Sequence, residues 1–154
     1  MSLTINEISL ITNSWTDFTE NFESNGATIF IRLFDQNPEL ILLFPFGKRE
    51  RTDAELKRHP LFKRHVRGVM NTINTAVNNI DNLSIIFPTL KQLGKKHQKY
   101  GVKPAFFTAV ENALVYALGQ ALQDACTNDH EQAWRKLFQI ISGTMKIGLE
   151  EQND

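Results

Sequence analysis

Apolar side chains recur along the first part of the chain at intervals of three and four residues, which is the spacing of one face of a helix. The first run consists of Ile8, Ile11, Trp15, Phe18 and Phe22. Thr4 precedes this run and Glu7 follows Thr4 by three residues, the arrangement of a capping box at a helix N-terminus. The pattern therefore predicts an amphipathic helix that begins just after Thr4.

Glycine, asparagine and proline mark where the next elements begin and end. We expect the first helix to end at residues 24–26, which read Ser-Asn-Gly, and a second helix to run to about residue 37. Pro38 predicts a short turn-like helix as far as Leu43, because proline favours the first helical position. Residues 44–58 are predicted to be the least regular stretch, since Pro45 and Gly47 interrupt it and charged side chains dominate it.

Four further helices are predicted in the rest of the chain. They cover residues 59–79, 85–100, 104–124 and 129 onwards, and each carries an apolar stripe at helical spacing. The stripe of the first of these is Phe62, His65 or Val66, Val69, Ile73, Ala76 and Val77. No alternating strand pattern and no internal repeat occurs, so we predict an all-α fold and one domain over residues 1–154.

Composition limits the classes of function. The chain has 154 residues, of which 42% are hydrophobic and 22% charged, as is ordinary for a globular protein. Seventeen basic and seventeen acidic residues cancel, so the net charge gives no reason to expect a nucleic acid or a membrane as partner. Eleven phenylalanines are too many for the surface alone, and most of them must face a core or a large apolar ligand.

The sequence also bears on the compartment. Cys126 is the only cysteine, which excludes a disulfide within the chain and suits a reducing compartment. The first residues lack the basic and apolar regions of a signal peptide, and the longest apolar run, 40–46, is too short to span a membrane. We therefore expect a cytoplasmic protein. Basic residues cluster over 48–67 among acidic ones, and we interpret this cluster as a solvated face, some of whose members pair with acidic groups of a cofactor.

Two histidines lie on predicted apolar stripes. His97 shares a helical face with Leu90 and Leu93, and His65 shares one with Val69. Because a buried imidazole needs a partner, His97 is either a core histidine bonded to a backbone carbonyl or a ligand to the iron of a haem. His65 is either a half-exposed histidine of a basic helix or the residue on the far side of a flat ligand.

Apolar side chains near these histidines suggest the walls of a slot. Phe44, held by Pro45 at an irregular corner, has the character of a wedge against a planar cofactor. Phe30 is expected at the same wall, and Val102 and Phe107 are expected at the opposite edge. With one imidazole on each side, such a slot predicts a haem pocket.

Other chemistry has weak support. The four histidines and the single cysteine lack the spacing of zinc ligands, and no nucleophile motif surrounds a serine. Gly47 and Lys48 lack the remaining glycines of a phosphate-binding loop. His59 and His130 lie on polar faces, and we expect them at the surface.

These residues together resemble the globin family over about residues 5–149, and segments 25–34, 93–102 and 114–116 are similar to neuroglobin-like and other intracellular animal globins. The resemblance implies a globin fold around haem b (iron protoporphyrin IX), with His97 as the proximal iron ligand and His65 as the distal histidine. It implies that Phe44 packs on the haem. The further haem contacts that it implies are Phe30, Val69, Leu93, Lys96, Val102, Phe107 and Tyr116.

The chain departs from the neuroglobin pattern at two positions. Gly68 stands where neuroglobins carry a lysine near a haem propionate, so that interaction is either absent or supplied by another residue, such as Lys96 or an arginine of the basic cluster. Cys126 does not correspond to the cysteine pair of some neuroglobins, so a disulfide switch of that kind cannot operate within this chain.

The function that the resemblance implies is reversible binding of O₂, CO and NO at haem iron, for transport, storage or sensing. His65 is expected either to bind the ferrous iron itself or to donate a hydrogen bond to the bound gas at a five-coordinate iron. One alternative is enzymatic, NO dioxygenation or nitrite reduction at the same iron, which needs an external reductase. The other is a helical interaction protein without haem. Enzymatic activity and oligomeric state stay open at this point.

Overall fold

The computed structural model describes residues 2–151, and over that range the chain is helical and contains no strand. The described residues form the α-helices α1 (Ile5–Phe18), α2 (Phe22–Gln36), α3 (Asp53–Arg58), α4 (Pro60–Asn78), α5 (Phe87–Gln98), α6 (Ala105–Leu122) and α7 (Asn128–Glu150). Short 3₁₀ helices link them at Thr19–Asn21, Pro38–Leu43, Pro45–Gly47, Ile80–Ile86 and Gln123–Ala125. The all-α fold is therefore confirmed.

The capping box predicted at the start of α1 is present. The Glu7 backbone N–H donates to Thr4 Oγ1 at 3.1 Å, and the Thr4 N–H donates to Glu7 Oε1 at 2.8 Å. Glu7 also accepts from Lys136 Nζ on α7 at 2.9 Å. A local helix-start signal is thus tied to the last helix of the fold.

The prediction that residues 24–26 end the first helix is wrong. The break between α1 and α2 lies at Thr19–Asn21, and Gly26 is inside α2. A Cβ added at Gly26 would come within 2.7 Å of Val66 Cγ1 and 2.8 Å of Met70 Cγ on α4. Glycine stands here because α2 and α4 cross closely at this point, and not because the helix stops.

The prediction of irregular chain over 44–58 is wrong for its last six residues, which form α3. The Glu55 N–H donates to Thr52 Oγ1 at 3.1 Å and the Thr52 N–H to Glu55 Oε1 at 3.2 Å, a second capping box. This signal was present in the sequence as Thr52 followed three residues later by Glu55. His59 then caps α4, accepting from the Leu61 N–H at 3.2 Å.

The two tryptophans connect the first helix to the rest of the core. The rings of Trp15 and Trp134 pack with their centroids 5.6 Å apart. Both indole N–H groups have partners inside the fold, Asn74 Oδ1 for Trp15 and Ser14 Oγ for Trp134, each at 2.9 Å. Because a buried N–H without a partner is costly, these bonds fix how α1 sits against α4 and α7.

Two glycines allow α5 and α7 to pack backbone against backbone. A Cβ at Gly94 would overlap the carbonyl group of Met145, and a Cβ at Gly148 would overlap that of Lys91. α5 is joined to α4 through the 3₁₀ helix Ile80–Ile86, which packs against both of them. Within residues 2–151 no helix is both long enough and apolar enough to cross a bilayer.

Candidate functional site

His65 lies near the start of α4, and His97 lies near the end of α5. Phe30 of α2 contacts His65, Phe107 of α6 lies beside His97, and α2 packs against α6, so the two imidazoles lie in the same part of the molecule. Both side chains are half-buried. The structure therefore brings together the two histidines that the apolar stripes singled out.

The imidazole of His65 is held between two phenylalanines. Its ring meets the edges of Phe30, on α2, and Phe44, each with centroids 4.8 Å apart. This apolar contact removes the ring from water. The pKa of His65 is lowered to about 4, mainly by burial and to a smaller extent by electrostatic repulsion from His97. His65 is therefore a neutral imidazole at pH 7, with one ring nitrogen as donor and the other carrying a lone pair.

His97 is oriented by its own helix. Its Nδ1 lies 2.7 Å from the Leu93 carbonyl oxygen. A carbonyl only accepts, so the proton sits on Nδ1 and leaves the lone pair on Nε2. The ring centroid lies 6.3 Å from that of Phe107 on α6. The hydrogen bond to a backbone carbonyl, one of the two interpretations of His97, is present, and such a bond also prepares an imidazole to bind a metal.

Phe44 forms the corner of the site. Its backbone is extended, as expected for a residue before proline, and this directs the ring toward α4. The Phe44 ring stacks on Phe46 at 4.9 Å and meets the edge of Phe34 at 5.5 Å. Phe34 and Phe46 were not predicted as site residues, although Phe46 follows Pro45 in the same motif. They support Phe44 from behind.

The remaining predicted contacts divide by exposure. Val69, Leu93 and Val102 are half-buried apolar side chains that pack against the core without being covered by it. Phe30 and Phe107 are buried, and Lys96 is exposed. A row of incompletely covered apolar side chains beside two imidazoles is what a flat apolar ligand requires.

Tyr116 lies elsewhere. The Arg32 guanidinium sits over its ring at 4.0 Å from the centroid, at the contact of α2 with α6. Phe107 and Tyr116 are nine residues apart on α6, which turns them to opposite faces of that helix. The structure does not bring Tyr116 to the histidine pair.

The chemistry of the site is set by the imidazoles. Among residues 2–151, no group of three or more histidine, cysteine, aspartate and glutamate side chains is arranged to hold a metal ion. The site can therefore supply a metal with one or two nitrogen ligands and needs the rest from the ligand itself. A porphyrin provides four nitrogens in a plane and leaves two axial positions.

Comparison with known proteins gives a consistent result. The model of the globin family matches residues 27–145. The neuroglobins of Tetraodon nigroviridis and Danio rerio are each 34% identical over 145 residues, covering 94% of this chain and 91% of the relative. Neuroglobin-1 of Oncorhynchus mykiss is 35% identical over 152 residues, covering 99% of this chain and 96% of the relative.

Two solved structures share the arrangement of helices. A hexacoordinated haem protein from an anhydrobiotic tardigrade aligns with a TM-score of 0.88 and 28% identity, covering 97% of this chain and 96% of that one. Ferric myoglobin of Aplysia limacina aligns with a TM-score of 0.81 and 26% identity, covering 97% of this chain and all of that one.

Proposed function

The chain belongs to the globin family, and from that premise we propose that it is a haem protein, a single globin domain that binds O₂ and other diatomic gases reversibly at iron. The observation that carries the proposal is the histidine pair, in which His97 has its Nδ1 committed to the Leu93 carbonyl while a neutral His65 faces it. Bound haem would supply the iron at which O₂, CO or NO binds.

His97 is the proximal ligand in this proposal. Because its Nδ1 proton is held by Leu93, the Nε2 lone pair points away from α5 and is free to bind iron. The same bond raises the basicity of the imidazole and fixes the plane of the ring. Leu93 therefore contributes through its backbone as well as through its half-buried side chain.

His65 provides the opposite side. Its low pKa keeps it neutral, so it can offer a lone pair to the iron or an N–H to a diatomic ligand. We infer that, with haem bound, His65 would also hold the ferrous iron and would have to be displaced by a gas. The similarity to a hexacoordinated haem protein supports this assignment.

Apolar side chains keep water from the slot. Phe30 and Phe44 enclose His65 on one side, and Phe107 lies beside His97 on the other. Val69 and Val102 add half-buried apolar surface. Exclusion of water slows oxidation of the ferrous gas complex, because charge separation is disfavoured in a dry site.

The haem is proposed to be haem b, held without covalent attachment. Cys126 is the only cysteine, and covalent haem attachment uses a Cys-x-x-Cys-His motif. Lys96 is exposed on α5 and can pair with a propionate at the edge of the slot. A reducing cytoplasm is the compartment that we propose, since it suits an unpaired thiol.

An absorption spectrum tests the proposal. Protein produced with a haem supply should show a Soret band, and a pyridine haemochrome should identify haem b. O₂ and CO should then bind and dissociate reversibly. A correctly folded protein that stays colourless with haem in excess would overturn the proposal and favour a haem-free interaction protein. Rapid consumption of NO with an added reductase, without stable gas binding, would favour the enzymatic alternative.

A further inference from the structure

The net charge of zero hides a strong separation of charge along the chain. Residues 48–67 carry eight basic and three acidic side chains, and residues 91–103 carry five lysines and no acidic side chain. The rest of the chain holds fourteen of the seventeen acidic residues and four of the seventeen basic ones. Most of the positive charge of the chain therefore lies in two segments, and each of the two histidines of the site lies in one of them.

The fold places the two basic segments at the same end of the molecule. Phe30 contacts His65 near the start of α4, and Phe107 lies beside His97 near the end of α5. Phe30 and Phe107 belong to α2 and α6, which pack against each other, so the start of α4 and the end of α5 lie at the same end of the molecule. We call the exposed cations at this end the cationic rim, and its members are Lys48, Lys57, Arg58, Lys63, Arg64, Lys96, Lys99 and Lys103.

The rim has little compensating charge within the protein. In the described part of the chain, none of its eight cations lies within 4 Å of a carboxylate oxygen, whereas Arg67 is paired with Glu23, and Lys91 and Lys95 are paired with Glu151. A haem has only two propionates, so haem binding neutralises a minority of the rim. The remaining cations are available to another anionic surface.

Each side of the rim also exposes one large apolar side chain. Leu61, on α4 among Arg58, Lys63 and Arg64, is 43% exposed, and Tyr100, next to Lys99, is 67% exposed. Tyrosine has an apolar ring and a polar tip, which suits the boundary between lipid headgroups and hydrocarbon. Cations with interspersed apolar side chains are typical of surfaces that lie on anionic bilayers.

We propose that the cationic rim, with Leu61 and Tyr100, docks the protein reversibly on an anionic lipid bilayer. The mouth of the histidine site then faces the membrane. An acidic protein would satisfy the same charges. The bilayer is favoured because it also accepts the two exposed apolar side chains, and because it needs no fixed pattern of partner carboxylates.

The expected strength follows from the number of cations. A Lys or Arg close to an anionic leaflet strengthens binding about fivefold, and the effect falls off within a Debye length of about 10 Å at 0.1 M salt. Reversing one rim charge should therefore weaken binding about 25-fold, since one attraction is lost and one repulsion is gained.

Sedimentation with lipid vesicles tests the proposal. The full chain is mixed with vesicles of phosphatidylcholine alone or of phosphatidylcholine with phosphatidylserine, and the bound fraction is measured at low and high salt. We expect binding only to the phosphatidylserine vesicles and release by salt. The assay is run with and without added haem, so the measured vesicle-bound fraction can be interpreted whether or not the protein binds haem.

Three variants locate the surface. Lys63→Glu on α4 and Lys99→Glu after α5 should each weaken vesicle binding about 25-fold, and Tyr100→Ser should weaken it less while leaving its salt dependence unchanged. Lys146→Glu on α7 makes the same charge change at a half-buried lysine that is not a member of the rim, and it should have little effect on binding. Circular dichroism confirms that each variant is folded.

The proposal would be overturned if the chain bound neutral and anionic vesicles equally well. It would also be overturned if the chain bound neither kind of vesicle. A further contrary result is an equal loss of binding in Lys63→Glu and Lys146→Glu, which would mean that net charge alone determines vesicle binding. If the chain ignores vesicles but binds polyglutamate through Lys63 and Lys99, the rim docks an acidic protein instead.

Discussion

Gly26 of α2 lies directly against Met70 of α4, and a single added carbon at position 26 would come within 2.8 Å of Met70 Cγ. Phe30 lies one turn further along α2, and Phe30 is one of the two rings that hold His65. The closeness of this helix crossing therefore sets how near α2 can approach the distal side of the site.

Gly26→Ala should destabilise the protein by about 1–3 kcal/mol, because the added carbon must push Val66 or Met70 aside in a packed core. Urea unfolding measures this loss. Gly143→Ala on α7 is the matched control, since no atom lies within 4 Å of the added carbon, and it should stabilise by about 0.5–1 kcal/mol through helix propensity. Equal effects of the two substitutions would mean that the crossing tolerates a side chain.

His97→Ala should remove the iron ligand that Leu93 orients. We expect protein that loses haem readily or holds it through His65 alone, with an altered absorption spectrum. His130→Ala is the control, because His130 belongs to the capping box of α7 and lies outside the site. An unchanged spectrum and an unchanged rate of haem loss in His97→Ala would refute the proximal assignment.

Phe44→Ala should speed haem transfer to an acceptor protein. Truncation of a fully buried phenylalanine costs about 3–5 kcal/mol of folding free energy. Phe44 is half-buried, so its truncation should cost less, and part of that cost should appear as weaker haem binding. Phe22→Ala removes a half-buried ring between α1 and α2, and it should lower stability with no change in haem transfer. If both variants transfer haem at the parent rate, Phe44 only fills the core.

His65→Leu tests coordination of the ferrous iron. If His65 binds the iron, the ligand-free ferrous parent shows sharp, split visible bands, and these bands vanish in His65→Leu. CO binding should also become faster in the variant, because the parent binds gas only during the fraction of time that the sixth position is open. A single broad visible band in the ferrous parent would contradict six-coordination.

Glu7→Gln should reveal a pH-dependent contribution to stability. The pKa of Glu7 is lowered, first by the Thr4 backbone N–H and next by Lys136. A depressed pKa means that the unfolded chain takes up the proton first, so the contribution is complete above about pH 4.5 and is lost as pH falls through the lower pKa of the folded state. The difference in unfolding free energy between parent and variant, about 1 kcal/mol at neutral pH, should shrink on acidification.

Lys136→Met provides the check on this assignment. If the two side chains act together, Lys136→Met should lose part of the same increment, and the double variant should be less destabilised than the sum of the single variants. Additive losses would show that Glu7 acts only as a cap for α1.

Sequence reasoning located most of the helices and singled out the two histidines as candidates because both inferences depend on local spacing. The capping box at Thr4, the proline starts at Pro38 and Pro60, and the stripe that includes His97 are all signals of a few residues. Gly26 was misinterpreted because a helix-breaking residue and a helix-crossing residue look alike until α4 is placed against α2. The burial of Met70 was not predicted, because the apolar stripe of that helix was assigned to Val69 and not to Met70.

The distribution of charge shows a different limit. Whole-chain balance predicted no preference for a membrane, because seventeen positive and seventeen negative residues cancel. The separation becomes apparent only when the charges are counted by segment, because residues 48–67 and 91–103 together carry thirteen of the seventeen basic residues. Net charge describes long-range behaviour, whereas docking depends on which charges share a face.

The backbone contacts at Gly94 and Gly148 hold the His97 side of the site more rigidly than the His65 side. The atoms that face Gly94 and Gly148 are the backbone carbonyl groups of Met145 and Lys91. A side chain in such a position could rotate or be shortened by mutation, but a backbone carbonyl remains whatever residue stands there. Gly94 is one turn before His97, so α5 has almost no freedom to slide against α7. We therefore expect any adjustment of the site to a ligand to come from α4 and the Phe44 corner, with His65 moving and His97 staying in place.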